Sequence, residues 1–211
     1  MLTCTLDHLV VTAPSLVAGS AFVRDVLGVD MQSGGKHPRM GTHNQLLSLG
    51  SSVYLEVIAI DPSAPRPGRP RWFGMDCQPV DAHPALSTWV ARTTDIRAAT
   101  ASCPESLGEV LAMDRGELHW LITVPADGAP PLGGAAPALI EWPVNVHPAA
   151  RLDDQGLRLL SLEISSPDAP RIQGLLASLN FSGPVKVMVA SETRMSAIID
   201  TPQGVRRLSA G

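Results

Sequence analysis

The amino-acid sequence predicts an α+β protein made of tandem β-α-β-β-β modules, followed by a shortened third module. Three observations lead to this class. The 19 prolines and 18 glycines, against 4% aromatic residues, indicate many turns between short strands. Apolar runs of strand length outnumber helix-like runs. The pattern of residues 6–60 recurs from residue 86 onward, which indicates an internal repeat.

The composition excludes several classes of protein. A length of 211 residues with 45% hydrophobic content is enough for a folded core. The net charge of −4, without any block of Lys or Arg, gives no electrostatic basis for binding nucleic acid or an anionic membrane. Three scattered cysteines without a C-x-x-C pair argue against disulfides and a thiolate zinc site. Since there is no basic leader and no apolar run of membrane-spanning length, we expect a cytoplasmic protein.

The first module covers residues 1–61. Its opening strand runs into a helix, for which Ser15 is a suitable N-cap and Gly28 a suitable end. Three strands follow, and Gly34-Gly35 is expected to lie in a loop because glycine and proline interrupt both periods there. The predicted strand, helix and three strands cover 6–14, 16–27, 29–33, 45–49 and 53–60.

A connector and two further modules make up the rest of the chain. Residues 62–84 are rich in proline and form the connector, which Trp72 and Phe73 are expected to hold against the body. The second module, 85–150, has predicted elements at 86–96, 98–102, 109–113, 117–124 and 138–142. The shortened third module, 151–211, has predicted elements at 157–165, 167–179, 185–190, 195–201 and 205–208.

Two polar residues interrupt apolar strands of the first module. Successive side chains of a strand point to opposite faces, so His8 shares a face with Val10, and Glu56 shares one with Tyr54 and Ile58. A carboxylate in such an apolar row is costly unless it is paired or coordinated. Each strand therefore presents one candidate metal ligand.

The repeat adds two positions to this pair. Thr88 stands where His8 stood, at an offset of 80 residues, and Glu141 stands where Glu56 stood, at an offset of 85. The excess falls in the loop at 126–137, where insertions are tolerated. The third module carries Ser161 at the position of His8, and we expect no metal there.

Each candidate also has an ordinary structural interpretation. His8 could instead be a hydrogen-bonded core histidine, and Glu141 could lie at an exposed strand end, because Pro143 can end the strand there. Asn44 could stabilise a turn, and His147 could cap a loop.

Several short motifs carry a resemblance to a known family. Gly41-Thr42-His43-Asn44, Tyr54-Leu55-Glu56, and Ile140-Glu141-Trp142 followed by His147-Pro148 resemble the uncharacterised glyoxalase-like domain family. More broadly, the paired modules resemble the vicinal oxygen chelate superfamily, which includes glyoxalase I, extradiol dioxygenases and bleomycin-resistance proteins. This resemblance implies that the modules form cupped mixed sheets with helices on the outer face. The resemblance extends over residues 5–150, and the order and spacing of the motifs carry it.

This resemblance implies a metal site and a substrate pocket. It implies one divalent ion, Zn, Mn, Ni, Co or Fe, held by His8, Glu56 and Glu141, with Thr88 as a poor ligand at the fourth position. Glu141 or Glu56 would act as the catalytic base, with Glu141 favoured from the usual place of the base in the superfamily. The substrate pocket would include Thr88, His43, Asn44 and His147.

The function implied is that of a metal-dependent lyase or isomerase acting on a small molecule with vicinal oxygens, where the metal stabilises an enediolate-like oxyanion. A non-catalytic small-molecule binding protein of the bleomycin-resistance kind is the alternative. An extradiol-type dioxygenase is the second alternative, and it would require a further imidazole beside His8, from His43, His119 or His147. A homodimer is also expected, because edge strands of such paired modules often meet.

Overall fold

The computed structural model of this chain describes residues 3–79, 81–143 and 147–209. It has three α-helices, three short 3-10 helices and thirteen strands in these ranges. The α-helices are α1 (Leu16–Leu27), α2 (Ile96–Ser102) and α3 (Ala169–Ser178). The strands are β1 (Cys4–Thr12), β2 (Gln32–His37), β3 (Thr42–Ser48), β4 (Tyr54–Ile60), β5 (Ala85–Thr93), β6 (Glu109–Arg115), β7 (Leu118–Val124), β8 (Ala138–Glu141), β9 (Arg158–Ser166), β10 (Phe181–Ser182), β11 (Val185–Val189), β12 (Arg194–Thr201) and β13 (Gly204–Ser209).

One large sheet contains both predicted modules. Its strands follow the order β2-β3-β4-β1-β5-β8-β7-β6, with β10 paired to the end of β1. In the first module β1 runs parallel to β4, and in the second β5 runs parallel to β8. The modules meet where β1 and β5 pair antiparallel. The identical order of strands on the two sides of this pair confirms the predicted tandem β-α-β-β-β fold.

Local sequence signals fix the ends of the helices. The Ser15 hydroxyl accepts a hydrogen bond from the backbone N–H of Ala18, and Gly28 ends α1 with φ 75°. Asp95 caps α2 in the same way through the N–H of Ala98. Both helices therefore begin and end within two residues of the predicted positions.

Strand β2 differs from the prediction. Gly34 and Gly35, expected in a loop, lie inside β2, where the pairing with β3 shifts by one residue between Ser33 and Lys36. The side chain of Asn44 on β3 occupies the space that a Cβ on Gly34 would need. Glycine at these positions allows the two strands to approach each other closely. The hydrophobic periodicity of the sequence does not reveal this requirement.

The C-terminal residues form a second sheet with the strand order β11-β9-β12-β13. Its elements follow the predicted order strand, helix and three strands, apart from the two-residue β10 that pairs with β1, but here β11 pairs directly with the first strand, β9, in parallel. In the two modules of the large sheet, the strand after the helix is separated from the first strand by two other strands. The third unit thus has the predicted succession of elements with its own strand order.

Two apolar clusters lie on the two faces of the large sheet. The larger cluster includes residues of all three helices and of the C-terminal sheet, such as Val23, Ile96, Ile172 and Leu162. The smaller cluster lies on the opposite face and contains Trp72 of the connector, as the sequence predicted. Within the described ranges, no helix combines the length and apolar character that crossing a membrane requires.

The contact between Gly34 and Asn44 can be tested by substitution. A Cβ on Gly34 would overlap the Asn44 side-chain oxygen and lie 2.7 Å from its carbonyl oxygen, so we expect Gly34→Ala to lower the free energy of unfolding by about 1–3 kcal/mol. Gly68→Ala is the matched control, because nothing lies within 4 Å of its Cβ position. Urea denaturation measures both, and equal midpoints for the two variants would contradict this account of β2.

Candidate functional site

A bulge in β1 brings two consecutive polar residues together. Leu6 pairs with Ala91 and His8 with Val90, so Asp7 is an additional residue in the ladder between β1 and β5. Neighbouring strand residues ordinarily point to opposite faces, and a bulge relaxes that alternation. Nδ1 of His8 therefore lies 2.6 Å from Oδ1 of Asp7.

The Asp7 carboxylate is completely buried and accepts several hydrogen bonds. Besides His8, the donors are Nε1 of Trp142 at 3.1 Å and Nε2 of His147 at 2.9 Å. Burial alone raises the pKa of Asp7, but the hydrogen bonds from His147 and His8 hold this pKa well below its usual range. Asp7 is therefore an ionised anchor, which fixes the orientation of the His8 ring.

The other nitrogen of His8 faces Glu56. Nε2 of His8 lies 3.5 Å from Oε2 of Glu56, while Oε1 of Glu56 accepts a hydrogen bond of 2.5 Å from Nδ2 of Asn44. Burial lowers the pKa of His8, but hydrogen bonds to Asp7 and Glu56 raise it to about 9. Burial raises the pKa of Glu56, but His8 lowers it to about 2. At neutral pH an imidazolium is thus held between two carboxylates.

Arg115 links the second module to this array. It lies at the end of β6 and donates from its NH1 group to Oδ1 of Asn44 at 3.0 Å. The same oxygen accepts the backbone N–H of Gly35 at 2.8 Å. A Cβ on Gly35 would lie 2.5 Å from Cδ of Arg115, so glycine makes room for the arginine. The two outer edges of the sheet therefore meet at Asn44.

Several of these residues line a small cavity on the face of the large sheet that carries the smaller apolar cluster; it leaves about 30 Å³ for the centres of water-sized molecules, within about 350 Å³ of empty space that includes open solvent. Its polar lining is formed by His8, His37, Asn44, Glu56 and Arg115. Its aromatic and aliphatic lining is formed by Tyr54, Trp72, Phe73, Trp120, Ile122, Ile140 and Trp142. Such a combination of apolar walls with a few convergent polar groups is typical of small-molecule sites.

Two of the cavity rings interact closely with the polar residues. The His8 ring stacks on Tyr54 with centroids 4.5 Å apart, and His37 meets the ring of Trp72 edge to face at 5.1 Å. His37 also lies 3.0 Å from the Thr42 hydroxyl through Nδ1. Burial lowers the pKa of His37 to about 4, so this second imidazole is neutral at neutral pH.

The second module does not provide the predicted ligands at this cavity. Val10 pairs with Glu56 across β1 and β4, and Val90, the counterpart of Val10 at the offset of 80 residues, pairs with Ala138 across β5 and β8. The position equivalent to Glu56 is therefore Ala138. Thr88 is buried, and its hydroxyl donates to the carbonyl of Gly134 at 3.3 Å instead of lining the cavity.

The position of Glu141 corrects the prediction that it joins His8 and Glu56. Glu141 lies three residues beyond Ala138, and an odd number of residues reverses the face of a strand. Its Oε2 accepts the backbone N–H of Ile96 at 2.7 Å, at the start of α2, while its neighbour Ile140 lines the cavity. The second module is therefore two residues longer than the first up to this position, whereas the alignment predicted from the sequence required an excess of five residues.

The structure places the remaining predicted pocket residues at different surfaces, and only some of them lie at the cavity. Asn44 lines the cavity, whereas His43, one residue earlier on β3, lies in a separate surface depression beside Lys36. His147 reaches the array indirectly through Asp7. His119 lies on an outer depression with Glu141. None of His43, His119 and His147 is within bonding distance of Nε2 of His8 among the described contacts.

The sequence reasoning missed Asp7, His37, Arg115 and Trp72 as cavity or anchor residues. Asp7 carried a usable signal, because it is a carboxylate in an apolar strand, like Glu56. Trp72 and Arg115 carried none, since their position depends on where the connector and β6 lie relative to the first module, and His37 lies in a segment that was predicted as a loop but forms the end of β2.

The donor set does not fit a resident divalent metal. Only His8 and Glu56 of the predicted ligands face each other, and both Glu56 oxygens already have partners in His8 and Asn44. In the described residues, no group of three or more His, Cys, Asp or Glu is arranged to hold an ion. A site for the expected metals ordinarily needs at least three protein ligands.

Comparisons with known proteins add a family and a fold. A family model described as "Glyoxalase-like domain" matches residues 6–180. No curated protein matches the chain. A hypothetical protein from Staphylococcus aureus has a similar structure, with 15% identity, coverage of 90% of this chain and 87% of that one, and a TM-score of 0.62. At this identity the similarity shows the fold alone.

Two more distant structures are also similar. The Mn(II)-bound glyoxalase from Novosphingobium aromaticivorans is 9% identical, with a TM-score of 0.49, over 97% of this chain and 81% of that one. Methylmalonyl-CoA epimerase from Mycobacterium tuberculosis is 16% identical, with a TM-score of 0.40, over 65% of this chain and 87% of that one. Both are too distant to support a residue-level comparison.

Asp7→Asn tests the anchor of the site. Removing one charge from a buried, hydrogen-bonded pair ordinarily costs about 3–5 kcal/mol, so we expect a loss of unfolding free energy of this order. The pKa of His8 should also fall from about 9, because its main hydrogen-bond partner loses its charge. Denaturant titration and NMR titration of the imidazole measure the two effects. Asp95→Asn is the control, since asparagine also caps a helix, and an equal cost for both variants would contradict the anchoring role.

The buried neutral His37 predicts a pH dependence of stability. Its pKa is about 4 in the folded chain and about 6.5 when unfolded, so the unfolded chain takes up the proton first as the pH falls. Stability should therefore decrease by about 2–3 kcal/mol from pH 6.5 to 4.5. His8 acts in another window, because its raised pKa stabilises the fold below pH 6.5 and this stabilisation is lost towards pH 9. Denaturation at each pH should show a flatter acid side for His37→Gln. The exposed control His119→Gln should keep the wild-type slope.

Proposed function

The chain belongs to the family of glyoxalase-like domains, and we propose that it is an isomerase or lyase that transfers protons on a small molecule with adjacent oxygens. The family assignment confirms the resemblance that the sequence predicted. The observation that carries the proposal is the His8 imidazolium held between Asp7 and Glu56 at the cavity. An oriented imidazole beside a carboxylate is a usual arrangement for proton transfer.

Each group of the array has a distinct role. Glu56 takes the proton from the carbon next to a substrate carbonyl, and the His8 imidazolium donates a hydrogen bond to the carbonyl oxygen as negative charge develops there. Return of the proton from Glu56 to the former carbonyl carbon gives an isomer, with His8 giving its proton to the oxygen of that carbon and taking the proton of the adjacent hydroxyl. Departure of a group, with its bonding electron pair, from the carbon on the other side of the deprotonated carbon gives a lyase product instead, and the proton on Glu56 then goes to the leaving group. Asp7 keeps the His8 ring in place during both steps.

The lowered pKa of Glu56 is compatible with a role as base. His8 holds this pKa at about 2 in the ligand-free site. When a substrate oxygen takes over the hydrogen bond from Nε2 of His8, the carboxylate loses its main stabilising partner, and its pKa rises towards the range of a useful base. Asn44 keeps one Glu56 oxygen fixed, so that the other faces the substrate.

In this proposal the positively charged side chains of His8 and Arg115 take the role that the resemblance assigned to a divalent ion. His8 and Arg115 both line the cavity and both carry positive charge, and among the residues that the structure describes no group of three or more His, Cys, Asp or Glu is arranged to hold a metal. Proton transfer is therefore proposed without a resident metal, and Glu56 replaces Glu141 as the proposed base. A homodimer and a cytoplasmic location are still expectations from the sequence.

A non-catalytic binding protein is the second candidate. It is favoured by the paired state of the array, in which both nitrogens of His8 and both oxygens of Glu56 already have partners. Such a site could hold a ligand against its aromatic walls without reacting with it.

Solvent deuterium exchange distinguishes the two candidates. We expect the wild-type chain to catalyse exchange of the protons next to the carbonyl of 2-hydroxyacetophenone or dihydroxyacetone in D₂O, followed by NMR. Glu56→Gln should lower the rate at least about 100-fold, because a positioned base contributes about that much. Glu141→Gln should leave the rate unchanged, since Glu141 bonds to Ile96 on the other face.

Three outcomes would change this proposal. Exchange that is abolished by EDTA and restored by Mn²⁺ would return the reaction to a metal. Full exchange by Glu56→Gln would remove Glu56 as the base. Binding of both ketones without any exchange would favour the binding protein.

A further inference from the structure

A buried donor in the cavity wall has no partner. Nε1 of Trp72 is buried and makes no hydrogen bond within the described part of the chain, and the Trp72 side chain lines the cavity. Buried polar groups are nearly always paired, and an unpaired one costs stability. An indole N–H is a donor only, so the missing partner must be an acceptor.

The backbone around Trp72 is held in an unfavourable conformation. Phe73 has φ 59°, a left-handed value that a bulky residue rarely adopts, and the next residue, Gly74, is bonded through its N–H to the carbonyl of Gly128 at 2.8 Å. The Trp72 ring stacks on Phe73 with centroids 5.5 Å apart and meets His37 edge to face. The surrounding structure thus fixes the unpaired indole at the cavity.

A cation in the same cavity has no acidic partner. The guanidinium of Arg115 makes its hydrogen bond to the neutral Asn44, and no carboxylate lies within ion-pair distance of it in the described chain. In contrast, Arg71 is paired with Asp76 at the back of the Trp72 loop. A guanidinium has five N–H groups, so most of those on Arg115 are open to a ligand.

The two observations select the same chemical group. Trp72 and Arg115 can only donate hydrogen bonds, and among the described residues no carboxylate lies within ion-pair distance of Arg115. A carboxylate supplies two acceptor oxygens and a negative charge in direct contact with the guanidinium, which binds it particularly well. The apolar rings of Trp120 and Trp142 leave an apolar surface for the rest of the ligand.

Asn44 sets the distance between this group and the reacting end. One amide joins Arg115, through Oδ1 at 3.0 Å, to Glu56, through Nδ2 at 2.5 Å. A carboxylate on Arg115 therefore places its adjacent carbon and that carbon's oxygen near Glu56 and His8. A carboxylate next to a hydroxyl or carbonyl carbon is itself a pair of vicinal oxygens.

We infer that the ligand is a small 2-hydroxy or 2-oxo acid with an apolar body, whose carboxylate binds Arg115 and Nε1 of Trp72. The position of the second oxygen at His8 rests on the proposed function, whereas the carboxylate site rests on Arg115 and Trp72 alone. Trp72 and Arg115 select the ligand, and His8 and Glu56 act on it.

Calorimetric titration of the full chain with mandelate and with mandelamide tests this inference. The two probes share the ring and both oxygens and differ in charge. We expect mandelate to bind wild type at least about tenfold more tightly than mandelamide, since charge-assisted bonds are the stronger ones. Arg115→Gln should abolish this preference, Arg115→Lys should keep part of it, and the exposed control Arg24→Gln should keep all of it.

Trp72→Phe tests the second donor. It removes the unpaired N–H together with part of the indole ring, so we expect weaker mandelate binding and also a lower melting temperature, because the smaller ring leaves space in a buried wall. Mandelate binding should fall more than mandelamide binding, whereas an equal fall for both probes would give Trp72 a packing role only. If Arg115→Gln does not fold, Arg115→Lys and Trp72→Phe still decide the matter.

The outcomes are distinct from those that test the proposed function. Equal binding of mandelate and mandelamide, an Arg115→Gln variant that keeps the preference, or failure of mandelate to bind at millimolar concentration would each overturn the carboxylate inference. Deuterium exchange on the neutral ketones, dependent on Glu56, would still support the proposed function in all three cases. If that exchange is absent while the chain still prefers mandelate to mandelamide, only the proposed proton-transfer reaction is overturned.

Discussion

The whole site depends on one ionised carboxylate that is completely buried. Asp7 sits in the strand at the centre of the large sheet, where an unpaired charge would be prohibitive, and it is tolerated because His8, Trp142 and His147 all donate to it. These donors come from a strand, from the chain just beyond β8 and from the segment that follows. The same charge therefore fixes the His8 imidazole and holds distant segments together, so folding and the geometry of the candidate site depend on the same interactions.

Much of the fold could be predicted because hydrophobic periodicity and turn chemistry are local properties. Ser15 and Gly28 mark the ends of α1, and the recurrence from residue 86 onward gives the second module. Glu56 could be found because a carboxylate in an apolar strand needs a reason. The place of Gly34 inside β2 could not be found, because it depends on the side chain of Asn44 in a strand ten residues later.

The assignment of Glu141 shows where counting along a sequence fails. A repeat fixes which strands correspond, but a loop of variable length decides the register, and an error of one or three residues exchanges the two faces. Only the observed strand pairing settles the register, because Glu56 pairs with Val10 and Ala138 pairs with Val90. Arg115 is a different case, because its role arises from the curvature that brings the edge of β6 over β3, which no local pattern encodes.

The two modules of the duplicated fold contribute different groups to the candidate site. The array residues Asp7, His8 and Glu56 belong to the first module, while the second contributes walls such as Trp120 and Ile140 and one charged arm, Arg115. The two halves can therefore vary independently. Substitutions in β6, β7 and β8 would change the walls of the cavity while the Asp7–His8–Glu56 array stays in place, so the shape of the cavity can change without any change in the array.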